Sequence, residues 1–122
     1  MITGLDCITD TDETRWTPTL RRLVFTHTEC NRFAIAAAPA RLLNQLFAIK
    51  EACVKACSGA ILPPQIEVAI GMSRARIVSR RGEAVPIRGC DFTVSASSTK
   101  SGSTLAVAFQ TVDLEMDEMC EV

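Results

Sequence analysis

The chain has 122 residues, 48% of them hydrophobic, and a formal net charge of −1 at pH 7. That length implies one domain with enough apolar content to bury a core, and the near-neutral charge gives no global pull toward nucleic acid. Aromatic residues make up 5% of the chain and include no tyrosine, which argues against a base-stacking surface, so no nucleic-acid partner is expected.

The cysteines Cys7, Cys30, Cys53, Cys57, Cys90 and Cys120 are irregularly spaced, and four of the six sit in apolar, regularly patterned segments. They read as reduced, mostly buried thiols. Only Cys53 and Cys57 have ligand-like spacing; with no C-x-x-C and a single histidine, His27, no zinc site is expected. No apolar stretch reaches membrane-spanning length, and no basic segment leads into an apolar one at the N-terminus. The expectation is a cytoplasmic protein without a membrane partner.

In chain order, Ile2, Thr3, Leu5 and Cys7 predict a short first strand that ends at Asp6, before the polar run Thr9 to Glu13. Thr17-Pro18 predicts a helix start, with threonine as N-cap and proline at the first helical position. Thr26-His27-Thr28-Glu29 reads as a capping box opening a second helix that runs to about Ala37 or Ala38. His27 itself reads as a solvated helix-start residue. Pro39 then separates that helix from a long one, from about Ala40 to Cys57, with Ser58-Gly59 as its stop.

On that long helix Leu42, Leu43, Leu46, Phe47, Ile49, Cys53, Val54 and Cys57 form one apolar arc, and Lys50 falls inside it. A lysine there must be paired, snorkel, or meet an anionic ligand. Glu51 and Lys55 lie one turn apart on a shared face, in the favourable glutamate-before-lysine order.

The second half changes period. Ile66, Val68 and Ile70 alternate with polar or small residues, Gly71-Met72-Ser73 makes a turn before Arg76 to Ser79, and Arg81-Gly82 makes another. Phe92, Val94 and Ala96 alternate with Thr93, Ser95 and Ser97, and Leu105 to Val112 supplies the last strand. The fold class is therefore α+β: an N-terminal strand, helices including one long central helix, then an antiparallel β-meander. The domain is expected over residues 1–112, with 113–122 as a solvated acidic tail.

Several short motifs carry a family resemblance across essentially the whole chain. Gly4-Leu5-Asp6, Phe25-Thr26-x-x-Glu29, Phe47-Ala48-x-Lys50-Glu51-Ala52-x-x-Lys55-Ala56 and Val94-Ser95-Ala96-Ser97 resemble, in order and spacing, those of the 4′-phosphopantetheinyl transferases. The match is to the short, holo-acyl-carrier-protein synthase type. The resemblance implies Mg2+-dependent transfer of phosphopantetheine from coenzyme A to a serine of an apo carrier protein, releasing 3′,5′-ADP, in fatty-acid or polyketide biosynthesis. Mg2+ takes hard oxygen ligands from one or two carboxylates, substrate phosphates and water, which Asp6 and Glu51 would supply. Lys50 and Lys55 would add fixed positive charge beside the phosphates. Glu51, acting directly or through a metal-bound water, is the implied base for the serine hydroxyl.

The same resemblance places Ser58, Gly59, Pro86, Ser95, Ser97 and Ser98 with Lys50 and Lys55 around coenzyme A, although the serines equally suit a solvent-facing sheet surface. It puts Arg15, Arg21 and Arg22 where an acidic carrier helix would dock, and implies a homotrimer whose sites lie between subunits. Three positions depart from the family pattern: Ser98 stands for its usual histidine, Leu46 for an arginine and Cys57 for a glycine. These departures admit an alternative, a catalytically weak or inactive relative that binds coenzyme A or a carrier protein.

Overall fold

A computed structural model describes residues 3–9, 16–78, 91–99 and 103–110. Arg15, the Arg81-Gly82 turn, Pro86, Cys90, Cys120, the end of the last strand and the acidic tail lie outside these residues.

Five strands form one antiparallel sheet in the order β1-β5-β4-β3-β2, with β1 Thr3–Thr9, β2 Ile66–Val68, β3 Arg74–Ile77, β4 Asp91–Ser98 and β5 Ser103–Gln110. Strands β2 to β5 are the expected meander, and β1 adds to its far edge by pairing with β5. The expected end of β1 at Asp6 is corrected. Because β5 offers partners as far as Ser103, β1 continues to Thr9, and Asp6 lies in mid-strand opposite Ala106. Ile70 likewise leaves the alternation it seemed to share: β2 stops at Val68, and Ile70 is exposed in a turn closed by the Met72 amide on the Ala69 carbonyl at 2.8 Å.

Helix α1, Pro18–Val24, starts as the sequence predicts, with the Thr17 hydroxyl accepting from the Leu20 amide at 3.2 Å. Helix α2, His27–Arg32, opens with the predicted reciprocal capping box of Thr26 and Glu29. It is shorter than expected, because Ala34 adopts φ 47 and the chain continues only as a 3-10 turn, Ile35–Ala37. Helix α3, Ala40–Ala56, agrees with expectation and ends with Ser58 and Gly59 at φ 55 and φ 76, where the Gly59 amide donates to the Val54 carbonyl at 2.9 Å.

The α3 helix crosses one face of the sheet at very short range. Ala48, Ala52 and Ala56, spaced one turn apart, are buried, as are Ala106 and Ala108 of β5. Gly4 completes this row of small residues: a Cβ there would lie 1.7 Å from the Ala52 carbonyl oxygen. Only glycine permits that approach. Farther along α3, Leu43, Leu46 and Ile49 join Phe92, Val94, Ile66 and Val68 in the core. Trp16 closes one end against Phe25 and Phe47, its indole N–H donating to Asn44 Oδ1 at 2.8 Å.

The other face of the sheet is open and partly apolar, against the usual pattern of polar residues on a solvated face. Leu5 is 59% exposed, Leu105 45% and Phe109 38%, and they share the face with Cys7, Ser95 and Ser97. Cys7 thus departs from the expected burial, while Cys53 is buried, with its thiol pushed up to about 12 chiefly by desolvation.

Candidate active site

The close passage of α3 over β1 brings Asp6, Glu51 and Lys55 together. Gly4 and Asp6 face the helix, because alternate residues of β1 point to one side of the sheet. Asp6 is nearly enclosed, with 10% of its side chain exposed, and Oδ1 accepts from Lys55 Nζ at 2.6 Å. Lys55 reaches it from the last turn of α3 with 53% of its side chain in solvent. The hydrogen bond and charge of Asp6 raise the Lys55 ammonium above its ordinary value.

Glu51, half-buried one turn before Lys55, is pushed up first by desolvation and then by the negative charge of Asp6, with Lys55 pulling the other way. Two carboxylates therefore repel each other across the α3–β1 seam, and one lysine offsets them only in part. That arrangement can bind a hard cation, place positive charge beside an anionic substrate, and present a carboxylate made more basic than usual.

Lys50 does not join them, which corrects the expectation that it lines the phosphate site. One helical step turns its side chain about 100° away from Glu51, into the core, where it is fully buried. Its ammonium pairs with Glu29 of α2, donates to the Ile66 carbonyl at 2.7 Å, and sits 5.3 Å from the Phe25 ring centroid. Burial lowers its pKa while the Glu29 charge raises it. Glu29 in turn accepts from the Thr26 amide at 2.9 Å and the Val68 amide at 2.7 Å. One carboxylate thereby ties α2, α3 and β2 together, and the sequence reading assigned it only a capping role. The signal available was the lysine on the apolar arc, which required an anion somewhere in the fold.

The remaining predicted residues separate into three places. Ser58 and Gly59 are exposed just beyond Lys55, at the C-terminal end of the helix, where the negative end of the helix dipole disfavours an anion, so any phosphate there depends on Lys55. Ser98 lies on the helix-facing side of β4, where Gln45 Nε2 donates to its hydroxyl at 3.1 Å and Thr104 Oγ1 lies at 3.1 Å. Ser95 and Ser97 lie on the open face, away from Asp6 within the same chain. Gln45 was not singled out from sequence; its one signal is a polar residue within the apolar half of α3.

Leu46 is fully buried in the core, and Cys57 caps α3. Arg21 proves to be structural, in place of a free docking cation: its guanidinium donates to the Trp16, Ile35 and Ala38 carbonyls at 2.9, 2.6 and 3.1 Å. Arg22 stays exposed. His27 is also exposed, within 3.5 Å of Asn31.

Among the described residues no three His, Cys, Asp or Glu side chains converge, and no helix is long and apolar enough to cross a membrane. No curated protein gives a significant match to the chain. The profile of the 4′-phosphopantetheinyl transferase superfamily, however, matches residues 3–109, a span containing Asp6, Glu51 and Lys55. With that match over most of its length, the chain belongs to the 4′-phosphopantetheinyl transferase superfamily.

Proposed function

We propose that the protein is a holo-acyl-carrier-protein synthase, transferring 4′-phosphopantetheine from coenzyme A to a serine of an apo carrier protein with Mg2+ as cofactor. The observation that carries this reading is the seam of Asp6, Glu51 and Lys55, where two carboxylates face one lysine and a bound divalent cation would offset the remaining negative charge. The donors are hard oxygens, as Mg2+ prefers, and two protein carboxylates suffice when phosphates and water complete its shell. Asp6 and Glu51 would hold the ion, which supplies charge neutralisation on the pyrophosphate oxygens.

In the transfer, the carrier serine oxygen forms a bond to the β-phosphorus of coenzyme A as the bond to the oxygen bridging the two phosphorus atoms breaks, and 3′,5′-ADP leaves. Glu51 takes the serine proton, directly or through a water. Lys55, half in solvent at the mouth of the seam, stabilises charge on the departing phosphates. The open apolar face formed by Leu5, Leu105, Val107 and Phe109 supports a homotrimer, since a patch of that kind marks an interface. Packing through it would also give Ser95 and Ser97 a place beside a neighbouring subunit's site. The exposed Arg22 then remains for an acidic carrier helix.

A second reading, a relative that binds coenzyme A or carrier without efficient transfer, is favoured by the burial of Leu46 and the engagement of Ser98 with Gln45 and Thr104. Incubation with coenzyme A, Mg2+ and candidate apo carriers separates the two. The transferase gives the phosphopantetheine mass increase on the carrier and releases 3′,5′-ADP, and chelation of the metal abolishes both. Metal-dependent coenzyme A binding without ADP release supports the second reading. Transfer by Asp6→Ala at limiting Mg2+ that matches wild type would remove Asp6 from the metal site.

A further inference from the structure

A second concentration of charge lies toward the other edge of the sheet from β1. Arg32 from the end of α2, Glu67 of β2, Arg74 and Arg76 of β3, and Asp91 of β4 line a cavity of about 320 Å³. Strand register builds it, since Glu67, Arg76 and Asp91 stand in one cross-strand row.

The three guanidinium groups are not equivalent. Arg76 is held by the buried Glu67, its Nε and Nη2 donating to Oε2 at 3.0 and 2.7 Å, while the Thr26 hydroxyl donates to Oε1 at 3.4 Å. The Glu67 charge is thereby used within the fold. Arg32 and Arg74 are different: neither makes an ion pair or a side-chain hydrogen bond with any described residue. With Arg76 and Glu67 cancelling, the described lining of the cavity retains two arginines against the carboxylate of Asp91.

We propose that this cavity is an oxyanion site that takes the phosphoryl group of a small hydroxyl-bearing phosphomonoester. Two guanidinium forks without an ion-pair partner among the described residues suit bidentate contact with a phosphate, and a concave site of this volume admits the group together with a short polyol. Asp91 supplies an acceptor for a hydroxyl on the ester group of the ligand, which inorganic phosphate held on the arginines does not extend toward it. Arg76, fixed by Glu67, keeps Nη1 free among the described residues as a third donor. Nothing in this assignment depends on the Asp6–Glu51 seam.

Titration calorimetry at low ionic strength and without divalent metal tests the proposal, with ribose 5-phosphate and inorganic phosphate as probes. Wild type is expected to bind ribose 5-phosphate saturably, and Arg32→Gln and Arg74→Gln each to weaken it at least about tenfold. Both side chains are exposed and make no ion pair among the described residues, so circular dichroism and the thermal midpoint should not move. Asp6→Asn is expected to leave this binding unchanged, which keeps the outcome independent of the transferase reading. Tighter binding of ribose 5-phosphate than of inorganic phosphate supports the hydroxyl contact to Asp91, and Asp91→Asn should then narrow the difference. Equal affinity for the two probes, no saturable binding, or binding unaffected by Arg32→Gln and Arg74→Gln would overturn the proposal.

Discussion

Gly4→Ala is expected to damage stability and transfer together, through one displacement. The added Cβ would lie 1.7 Å from the Ala52 carbonyl oxygen, 2.7 Å from its carbon and 2.8 Å from the Ala56 amide nitrogen. All three are backbone atoms of α3, so no side chain can rotate out of the way. Strand and helix must separate by roughly 1.3 Å merely to reach the lower edge of Cβ contacts found in proteins. Forcing a methyl into a packed core costs about 1–3 kcal/mol. In a domain of this size that lowers Tm by about 5–15 °C. Asp6 moves with the strand and Glu51 with the helix, and a misplacement of about 1 Å in a catalytic constellation costs on the order of a hundredfold in turnover. The assay is the rate of carrier modification by mass spectrometry, at a temperature where circular dichroism shows the variant folded. Leu43→Ala, a core truncation worth about 2–5 kcal/mol away from the seam, serves as the control: it should lose comparable stability and keep its turnover. A Gly4→Ala protein with wild-type Tm and rate would refute the idea that the α3–β1 approach sets the site.

The charge network gives three further expectations. In a carboxyl-carbon NMR titration Glu51 should titrate above the ordinary glutamate range, and lower in Asp6→Asn than in wild type, since Asp6 is one of the two groups of causes that raise it. Because its folded pKa is raised, ionised Glu51 opposes folding above that pKa and the penalty disappears as pH falls through it; Glu51→Gln should therefore be the more stable protein at neutral pH, with the gap closing on acidification. Glu29→Gln and Lys50→Met should each cost about 3–5 kcal/mol in urea unfolding, and the double variant less than their sum; strict additivity would deny the pairing. Arg21→Ala should lower stability by about 1.5–3 kcal/mol through its lost carbonyl contacts, and a variant as stable as wild type would return Arg21 to the pool of docking cations.

Where local chemistry determines local structure, the sequence was a sufficient guide. Thr17-Pro18, the Thr26/Glu29 box and the Ser58-Gly59 stop each act within one turn, and each is found where expected. Features decided by a distant partner were not legible. β1 runs past Asp6 because β5 is there to pair with it, a fact carried by residues nearly a hundred positions away. The break after α2 falls on Ala34, a residue with no intrinsic preference for φ 47, so no turn signal announces it. Period-two alternation through Ile70 was real as a pattern and false as a strand, since the turn closed by Met72 intervenes. Among the candidate site residues, i, i+4 spacing put Glu51 and Lys55 on one face and the family resemblance added Asp6, whereas the inward fate of Lys50 required knowing that Glu29 would arrive from α2.

Adjacent residues on α3 thus divide two tasks. A step of about 100° along the helix separates the side chain that enters the core from the one that faces β1. Lys50 is the inward member, and its partners Glu29 and the Ile66 carbonyl fix both the rotation and the axial position of the helix. With that rotation set, Glu51 must point to the seam, and the row of Gly4, Ala48, Ala52 and Ala56 sets how near the seam lies. A buried ion pair is a weak source of stability against an apolar replacement, but it is intolerant of mispairing. Its value here is directional: the Lys50–Glu29 contact on one side of α3 and the small-residue row on the other together favour the rotation that turns Glu51 toward Asp6.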